Sequence, residues 1–213
     1  MVRTVTTTGI SRTEERKSVM KKSALIIFFL IISICSIKAF ACVGRTITIS
    51  SLKSHNEQIL AQMLSVIINE RTGTTVRVEY FDTQQEMYEA LKTGAVSILI
   101  ENTDRALQLL QKSKDKNDKN NYSVVKKTYK QKFDFVLLDA FGHAPMDSEK
   151  KQYFYFPVIT SQILIEYPAL PRVVNKLAGI LEDKSYGALI GFVESGDKPK
   201  SAAKDFLKKK RLI

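Results

Sequence analysis

The sequence predicts an α/β fold in which a mostly parallel sheet is flanked by helices on both faces. Three observations support this prediction: strand-like and helical segments alternate between residues 45 and 100, the connections between them are short, and the third strand-like segment is almost entirely apolar. Alternation with short connections is typical of β-α-β units, whose strands are parallel and whose crossovers are right-handed. A continuous apolar strand indicates a sheet covered on both faces.

Length and composition narrow the class of protein. The 213 residues carry 33 Lys and Arg against 22 Asp and Glu, a formal net charge of +11, and include only two Cys and two His. So few Cys and His exclude a disulfide-rich scaffold and a zinc-finger type of cluster. The 44% hydrophobic and 26% charged residues exclude a disordered chain and a membrane protein with many spans.

The N-terminal segment predicts export. Residues 20–41 begin with a basic Met-Lys-Lys, continue with an apolar stretch over 24–37 and end in Ala-Phe-Ala, which is the pattern of a secretory signal peptide. The apolar stretch is shorter than the ~20 residues of a membrane-spanning helix. Residues 1–19 are polar and patternless, and we interpret them as a misassigned start upstream of Met20.

Cleavage after Ala41 would leave residues 42–213 as a single α/β lobe that begins with Cys42. A Cys at this position is a site of lipid attachment in bacteria, so the expected location is periplasmic or lipid-anchored at Cys42. The leader removes seven Lys or Arg and two Glu, so the net charge falls to +6. That value is too small to predict a nucleic-acid partner.

A long helix is predicted after the first strand. Ser54 and Glu57 match a capping box, in which the N-cap hydroxyl accepts from the N3 backbone and the N3 carboxylate accepts from the N-cap backbone. Apolar residues then recur at helical spacing as far as Gly73, which suits a left-handed C-cap.

The other elements follow from apolar periodicity, aromatic and β-branched runs, and the positions of Gly and Pro. The predicted strands are 45–50, 74–81, 95–100, 133–140 and 150–156. The other predicted helices are 83–92, 105–111, 122–130, an apolar stripe over 170–181, 185–193 and a last helix from Pro199. Residues 112–121 and 141–151 are predicted loops.

No catalytic site, metal site or cofactor is predicted. His55 and His143 are the only His, and the motifs H-E-x-x-H, G-x-S-x-G, P-loop and G-x-G-x-x-G do not occur. A nucleophile needs a base that a third group orients, and neither His has such a setting. We therefore expect a protein that recognises a small solute rather than an enzyme.

Two loops and one aromatic run are the candidate binding elements. Ligands of parallel sheets bind beyond the carboxyl ends of the strands, where residues 51–58 and 101–104 are expected. The run Tyr-Phe-Tyr-Phe over 153–156 would place Tyr153 and Tyr155 on one face of a strand. These rings either pack in the core or hold a quaternary ammonium group by cation–π attraction.

Three segments of the sequence indicate a family. Residues 49–58 are I-S-S-L-K-S-H-N-E-Q, residues 90–104 are A-L-K-T-G-A-V-S-I-L-I-E-N-T-D, and residues 167–179 are Y-P-A-L-P-R-V-V-N-K-L-A-G. They resemble, in order, I-G-S-K-N-F-T-E-Q, A-L-K-x-G-x-I-D-L-Y-P-E-Y-T-G and Y-P-x-L-P-x-V-L-N-K-L-A-G of the quaternary-amine (glycine betaine, osmoprotectant) substrate-binding proteins of ABC importers. The third similarity is the most specific.

The resemblance implies one lobe of a type II periplasmic-binding-protein fold, an ABC permease as partner, and a small quaternary-amine or amino-acid-like solute as ligand. Asn102 replaces an aromatic residue of the family, which would weaken a cage around a cation. Together with the aromatic run, the resemblance places ligand contacts at Lys53, Ser54, His55, Asn56, Glu57, Gln58, Glu101, Asn102, Thr103 and Tyr153.

The sequence departs from the family between the strands at 133–140 and 153–157. Members of the family insert a second lobe of roughly a hundred residues there, whereas this chain has only about a dozen. We therefore expect a single-lobe form with degenerate ligand binding. The alternative is an interaction protein without a ligand, which forms a homodimer or docks on a transporter through the face left exposed.

Overall fold

The computed structural model describes residues 46–146 and 152–213. These residues belong to one compact unit, Gly44–Ile213. The predicted leader, its cleavage after Ala41 and the predicted lipid site at Cys42 lie outside the described residues.

The elements alternate in the order that the sequence predicts. The strands are β1 (Ile47–Leu52), β2 (Val76–Phe81), β3 (Ile98–Asn102), β4 (Phe135–Leu137), β5 (Gly142–His143) and β6 (Phe154–Thr160). The α-helices are α1 (His55–Thr72), α2 (Gln84–Lys92), α3 (Thr103–Leu109), α4 (Asp118–Phe133), α5 (Ser161–Glu166), α6 (Leu170–Val174), α7 (Tyr186–Glu194) and α8 (Pro199–Lys209), with single 3-10 turns at Asn175–Leu177 and Ile180–Glu182.

One sheet organises the unit, in the order β2-β1-β3-β6-β4, with β5 also paired to β6. β1 is parallel to both β2 and β3, as the β-α-β-α-β pattern predicts. β6 runs antiparallel to β3, β4 and β5. The α/β fold class is confirmed, and the described strands share one direction apart from β6, which lies between β3 and β4.

Two apolar cores cover the two faces of the sheet, as expected for an α/β layer structure. One core contains residues of α1, α6, α7 and α8 packed on β1, β3 and β6. The other contains residues of α2, α3 and α4 packed on β3, β4 and β6. In β6, Tyr155 and Ile159 face the first core while Phe156 and Val158 face the second, so the alternation predicted for the aromatic run is confirmed.

The first helix begins and ends where the sequence predicts. Ser54 is the N-cap of α1, and its hydroxyl accepts a hydrogen bond from the backbone N–H of Glu57. Gly73 is the C-cap in the left-handed conformation, and its N–H donates to the Asn69 carbonyl at 2.8 Å. A residue with a Cβ is strained in that conformation, which explains the Gly.

The largest differences from the predicted elements lie around β6. The strand predicted at 150–156 extends instead to Thr160, although Pro157 stands in its middle. Pairing between β4 and β6 ends at Val158, so the N–H that Pro157 lacks falls beyond the end of β4. The two-residue β5 lies in a predicted loop, and α5 has no counterpart among the predicted helices.

Gly142 lies in the connection between β4 and β6, where its backbone conformation and its close neighbours disfavour any larger residue. Its φ is +103°, and an added Cβ would lie 3.0 Å from Cγ of Glu182. We expect Gly142→Ala to lower the free energy of unfolding by about 1–3 kcal/mol, measured by denaturant titration.

The matched control is Gly187→Ala in α7, where an added Cβ meets nothing within 4 Å. This helical substitution should raise the free energy of unfolding by roughly 0.5–1 kcal/mol. Equal effects of the two substitutions would contradict the strain assigned to Gly142.

Candidate functional site

The two predicted binding loops meet at one edge of the sheet. α1 follows the carboxyl end of β1, and α3 follows the carboxyl end of β3. Because β6 is antiparallel, its first residues reach the same edge, where Tyr155 lies opposite Asn102. The predicted residues after β1, after β3 and at the start of β6 therefore come together, as the rule for ligand sites in parallel sheets predicts.

A buried guanidinium holds this edge together. Arg105 of α3 is 7% exposed and lies between Glu57 and Glu101, which are 2% and 0% exposed. Its Nη1 donates to Oε1 of Glu57 at 2.9 Å and its Nε donates to Oε1 of Glu101 at 2.6 Å. Its Nη2 donates to the Ile100 carbonyl at 2.6 Å. Each of the three guanidinium nitrogens thus donates to an acceptor.

The second oxygen of Glu101 receives two tyrosine hydroxyls. Tyr88 of α2 donates to Oε2 of Glu101, and Tyr129 of α4 donates to the same atom at 3.2 Å. Burial, and then the charge of Glu101, raise the pKa of both tyrosines well above the usual range. Both hydroxyls therefore remain protonated donors.

Opposing effects act on the guanidinium itself. Burial works to lower the pKa of Arg105, but the charges of Glu101 and Glu57 outweigh it, so the pKa is raised above its usual range. Arg105 remains charged, and the cluster consists of two carboxylates around one cation with neutral hydroxyl donors at its outer side.

The cluster engages both carboxylates that the sequence analysis placed in contact with ligand. Oε2 of Glu57 accepts from the backbone N–H of Leu52 at 2.9 Å, and Oε1 of Glu101 also accepts from the N–H of Asn102 at 2.9 Å. Each of the four carboxylate oxygens therefore has a donor within the protein. Because both side chains are also buried, a ligand in the cavity does not reach Glu57 or Glu101 unless protein atoms move.

The predicted capping box at α1 is only half formed. Ser54 accepts from the Glu57 N–H, but the Glu57 carboxylate points inward to Leu52 and Arg105 instead of returning to the Ser54 backbone. The box prediction is wrong in this respect because a buried guanidinium attracts a carboxylate more strongly than an exposed N–H does. Thr83 and Glu86 form a complete capping box at α2.

The other predicted residues take different positions around the edge. Asn102 is the N-cap of α3, where its Oδ1 accepts from the Arg105 N–H at 2.9 Å, and Thr103 is fully buried. Lys53 is exposed and pairs with Asp82 at 2.6 Å, and Gln58 donates to the Lys53 carbonyl at 2.8 Å.

Four of the predicted residues line a cavity of about 410 Å³ above the ion cluster. They are Ser54, His55, Asn56 and Tyr153. Residues outside the predicted set complete it, and these are Ala144, Pro145, Met146, Tyr155, Gly187, Ile190 and Glu194. Of these, only Tyr155 has a signal in the sequence, the alternation of the aromatic run. α7 meets the cavity through tertiary packing, which no local pattern indicates.

The cavity has an aromatic corner and an acidic rim. The rings of Tyr153 and Tyr155 lie 6.2 Å apart between centroids, at an interplanar angle of 62°. Glu194 stands on the rim with its carboxylate 4.0 Å from Nδ1 of His55. Neither Lys nor Arg lines the cavity, so its surroundings suit a cation near the rings and Glu194.

The first turn of α1 forms another wall of the cavity, next to Glu194. The leading backbone N–H groups of a helix have no acceptor within the helix, and they attract an anion. Asn56 accepts a hydrogen bond from the Tyr186 hydroxyl at 2.6 Å through Oδ1, whereas its buried Nδ2 has no hydrogen-bond partner. Burial, and then the charge of Glu57, raise the pKa of Tyr155 above its usual range, so its hydroxyl stays protonated.

Two further cavities lie away from these residues. One of about 640 Å³ lies at the opposite edge of the sheet, between the end of α2 and α5, and one of about 340 Å³ lies between α7 and α8. Neither contains a residue of the predicted site. Within residues 46–146 and 152–213, no cluster of three or more His, Cys, Asp or Glu is arranged to bind a metal ion. No helix in these ranges combines the length and the apolar character needed to span a bilayer.

Arg105 is expected to be the most sensitive position of this edge. Arg105→Met would leave Glu57 and Glu101 buried without a counter-charge, and removing one partner of such a group costs about 3–5 kcal/mol of the free energy of unfolding. Denaturant unfolding followed by circular dichroism measures this loss. Glu101→Gln in the Arg105→Met background should restore part of it.

Lys92→Met is the matched control, because Lys92 pairs with Glu89 in an exposed ion pair at 2.9 Å. Such pairs contribute less than about 1 kcal/mol. If Arg105→Met were no more destabilising than Lys92→Met, the cluster would not hold the edge together.

Known proteins are similar to this chain in sequence and in fold. Residues 45–148 match the sequence profile of the substrate-binding domain of ABC-type glycine betaine transport systems. No curated protein matches the chain.

Solved structures share its fold. A glycine betaine/carnitine/choline ABC transporter protein is similar at a TM-score of 0.69 and 15% identity, over 80% of this chain and 99% of that chain. YehZ of Escherichia coli, without ligand, is similar at a TM-score of 0.68 and 12% identity, over 80% of this chain and 100% of that chain. Over residues 45–148 the sequence resembles the substrate-binding domain of ABC-type glycine betaine transport systems, as the segments at 49–58 and 90–104 predict, and the fold agrees with this resemblance.

Proposed function

We propose that the protein is an exported solute-binding component of an ABC transport system for glycine betaine or a related quaternary amine. The observation that supports this most directly is the cavity at the carboxyl edge of the sheet, which is lined by two tyrosine rings, a carboxylate and the N-terminus of a long helix. A cavity lined by groups that attract a cation and by groups that attract an anion suits a zwitterion, which carries both charges a few bonds apart.

The cationic end of the ligand is assigned to Tyr153, Tyr155 and Glu194. A quaternary ammonium group cannot donate a hydrogen bond, so ring faces and a nearby carboxylate recognise it by electrostatics and contact. Tyr153 is partly exposed while Tyr155 is almost buried, so Tyr153 offers the accessible ring. The volume of about 410 Å³ lies within the range of small-molecule sites.

The anionic end is assigned to the first turn of α1. Ser54 and His55 open this turn at the cavity wall, and the positive end of the helix dipole points there. Of the predicted contacts, Ser54, His55, Asn56 and Tyr153 remain in this assignment. Three of the other predicted residues do not contact the ligand in this assignment but fix the position of the turn. They are Glu57, Glu101 and Asn102.

We further propose that the chain is a single-lobe form. The segment between β4 and β6, residues 138–153, has 16 residues, which is too short for a second lobe of roughly a hundred. The cavity is therefore walled by one lobe, and the ligand keeps one side open to solvent. Affinity should be lower than for a ligand enclosed on all sides, because fewer contacts offset the entropy lost on binding.

The partner proposed for this component is an ABC permease, which would cover the open side of the cavity. A homodimer is the other occupant of that side that the sequence analysis considered. Among the described residues, His143 faces Asp118 and Glu182, and His55 faces Glu194, so both His have acidic neighbours.

Calorimetric titration with glycine betaine, choline, carnitine and proline tests the proposal. We expect binding of at least one quaternary amine in the millimolar range or tighter. Tyr153→Leu should weaken it by roughly 2–30-fold, which corresponds to a cation–π contribution of about 0.5–2 kcal/mol.

Phe192→Leu is the matched control, because Phe192 is an exposed aromatic residue of α7 that does not line this cavity. It should leave the affinity unchanged. Absence of heat with all four compounds at millimolar concentration would contradict solute binding and favour the interaction protein.

A further inference from the structure

We propose that the outer face of α4 and the loop before it form a docking surface for anionic phospholipid. Residues 112–132 contain eight Lys and two Asp, a net charge of +6 within 21 residues. The whole chain has a net charge of +11, so this one segment carries more than half of it. The inference rests on the proposed function only in placing the protein beside a membrane permease.

The lysines of α4 lie on the side of the helix that faces away from the sheet. The buried residues of α4 are Asn121, Val125, Thr128 and Tyr129. Lys119, Lys126, Lys127 and Lys130 are exposed and are spaced by seven, one and three residues, which places them on the opposite side of a 3.6-residue helix. Lys116 precedes the helix and is also exposed.

Most of this charge is free of counter-charges in the described part of the chain. Lys114 pairs with Asp104 at 2.6 Å, and Lys130 pairs with Asp134. The other exposed lysines of the segment form no ion pair there, and they are Lys112, Lys116, Lys119, Lys126, Lys127 and Lys132.

The two Asp of the segment are engaged elsewhere. Oδ2 of Asp118 lies 3.0 Å from Nε2 of His143, and Oδ1 of Asp115 accepts from the backbone N–H of Asn117 at 2.9 Å. Their side chains therefore serve the local structure of the loop and the start of α4. We call the exposed lysines along α4 and before it the lysine strip, and they are Lys116, Lys119, Lys126, Lys127 and Lys130. The strip therefore keeps a net positive charge.

The strip favours a lipid surface over a small anion. None of the three cavities described above is lined by these lysines, and long mobile ammonium groups on an open helix face form no enclosed site. From Lys119 to Lys130 the strip extends for about 16 Å along the helix. A plane of lipid headgroups presents many negative charges over such a length, and each Lys near an anionic surface adds to the attraction.

Cosedimentation with vesicles tests the inference. The full chain is incubated with vesicles of phosphatidylglycerol and phosphatidylcholine, or of phosphatidylcholine alone, at low salt and at roughly 0.5 M salt. The neutral vesicles and the high-salt arm measure any contribution from apolar insertion. We expect anionic vesicles to be preferred, and the preference to be lost at high salt.

The variant K116Q/K119Q/K126Q/K127Q should lower the salt-sensitive partition coefficient by about 100-fold or more, because each lysine near an anionic surface contributes roughly fivefold. The matched control is K176Q/K184Q/K198Q/K200Q, which removes four exposed lysines from the C-terminal segment that packs on the opposite face of the sheet. The control should lose less than about tenfold.

Three outcomes would overturn the inference. They are equal binding to neutral and anionic vesicles, equal losses in the two quadruple variants, and binding that persists at high salt. An acidic protein as the true partner would appear as the first of these, without lipid preference. Calorimetry of the α4 variant with betaine and choline separates the two proposals, since its cavity residues are unchanged and solute binding should be retained.

Discussion

A charged guanidinium withdrawn from water is the constraint on which the binding edge depends. Desolvating such a group is costly unless hydrogen bonds and counter-charges compensate it, and each of the three guanidinium nitrogens of Arg105 donates to Glu57, Glu101 or the Ile100 carbonyl. The three acceptors come from α1 and β3, so their relative position is fixed by one side chain. Since two carboxylates surround one cation, hydroxyl donors from α2 and α4 offset the remaining negative charge. Four helices and one strand thereby share a single polar centre between the two apolar cores.

The ion cluster around Arg105 also determines the shape of the cavity. Along the first turn of α1, Asn56 lines the cavity and the next residue, Glu57, belongs to the ion cluster. Arg105 does not line the cavity, yet it determines where the helix N-terminus stands relative to Tyr153 and Tyr155. Binding sites need this kind of support because a displacement of the supporting residues changes contacts with the ligand.

Local patterns predict much of this structure, and the reasons for their failures are physical. The alternation of β1, α1, β2, α2 and β3, the Ser54 cap and the Gly73 terminus are local features, and the sequence predicts them well. Glu57 in the N3 position is equally compatible with a capping box and with a buried ion pair, and only the approach of α3 to α1 decides between them.

The same holds for the wall that α7 contributes. Glu194 and Gly187 follow the start of α1 by more than a hundred residues, so no spacing rule connects them. Tyr88 and Tyr129 look like ordinary core residues in an apolar stripe, and their hydroxyls acquire a role only through Glu101. Features set by local propensity could be predicted from the sequence. Features set by contacts between residues far apart in the chain could not.

The place of β6 in the sheet has a consequence for the order of folding. β3 and β4 do not pair with each other, and β6, which follows both in the chain, fills the space between them. The centre of the sheet cannot close until the chain has been made as far as Thr160, and contacts of such long sequence separation slow folding. Until then the edges of β3 and β4 that later pair with β6 stay unpaired, and this delay would suit the export proposed above.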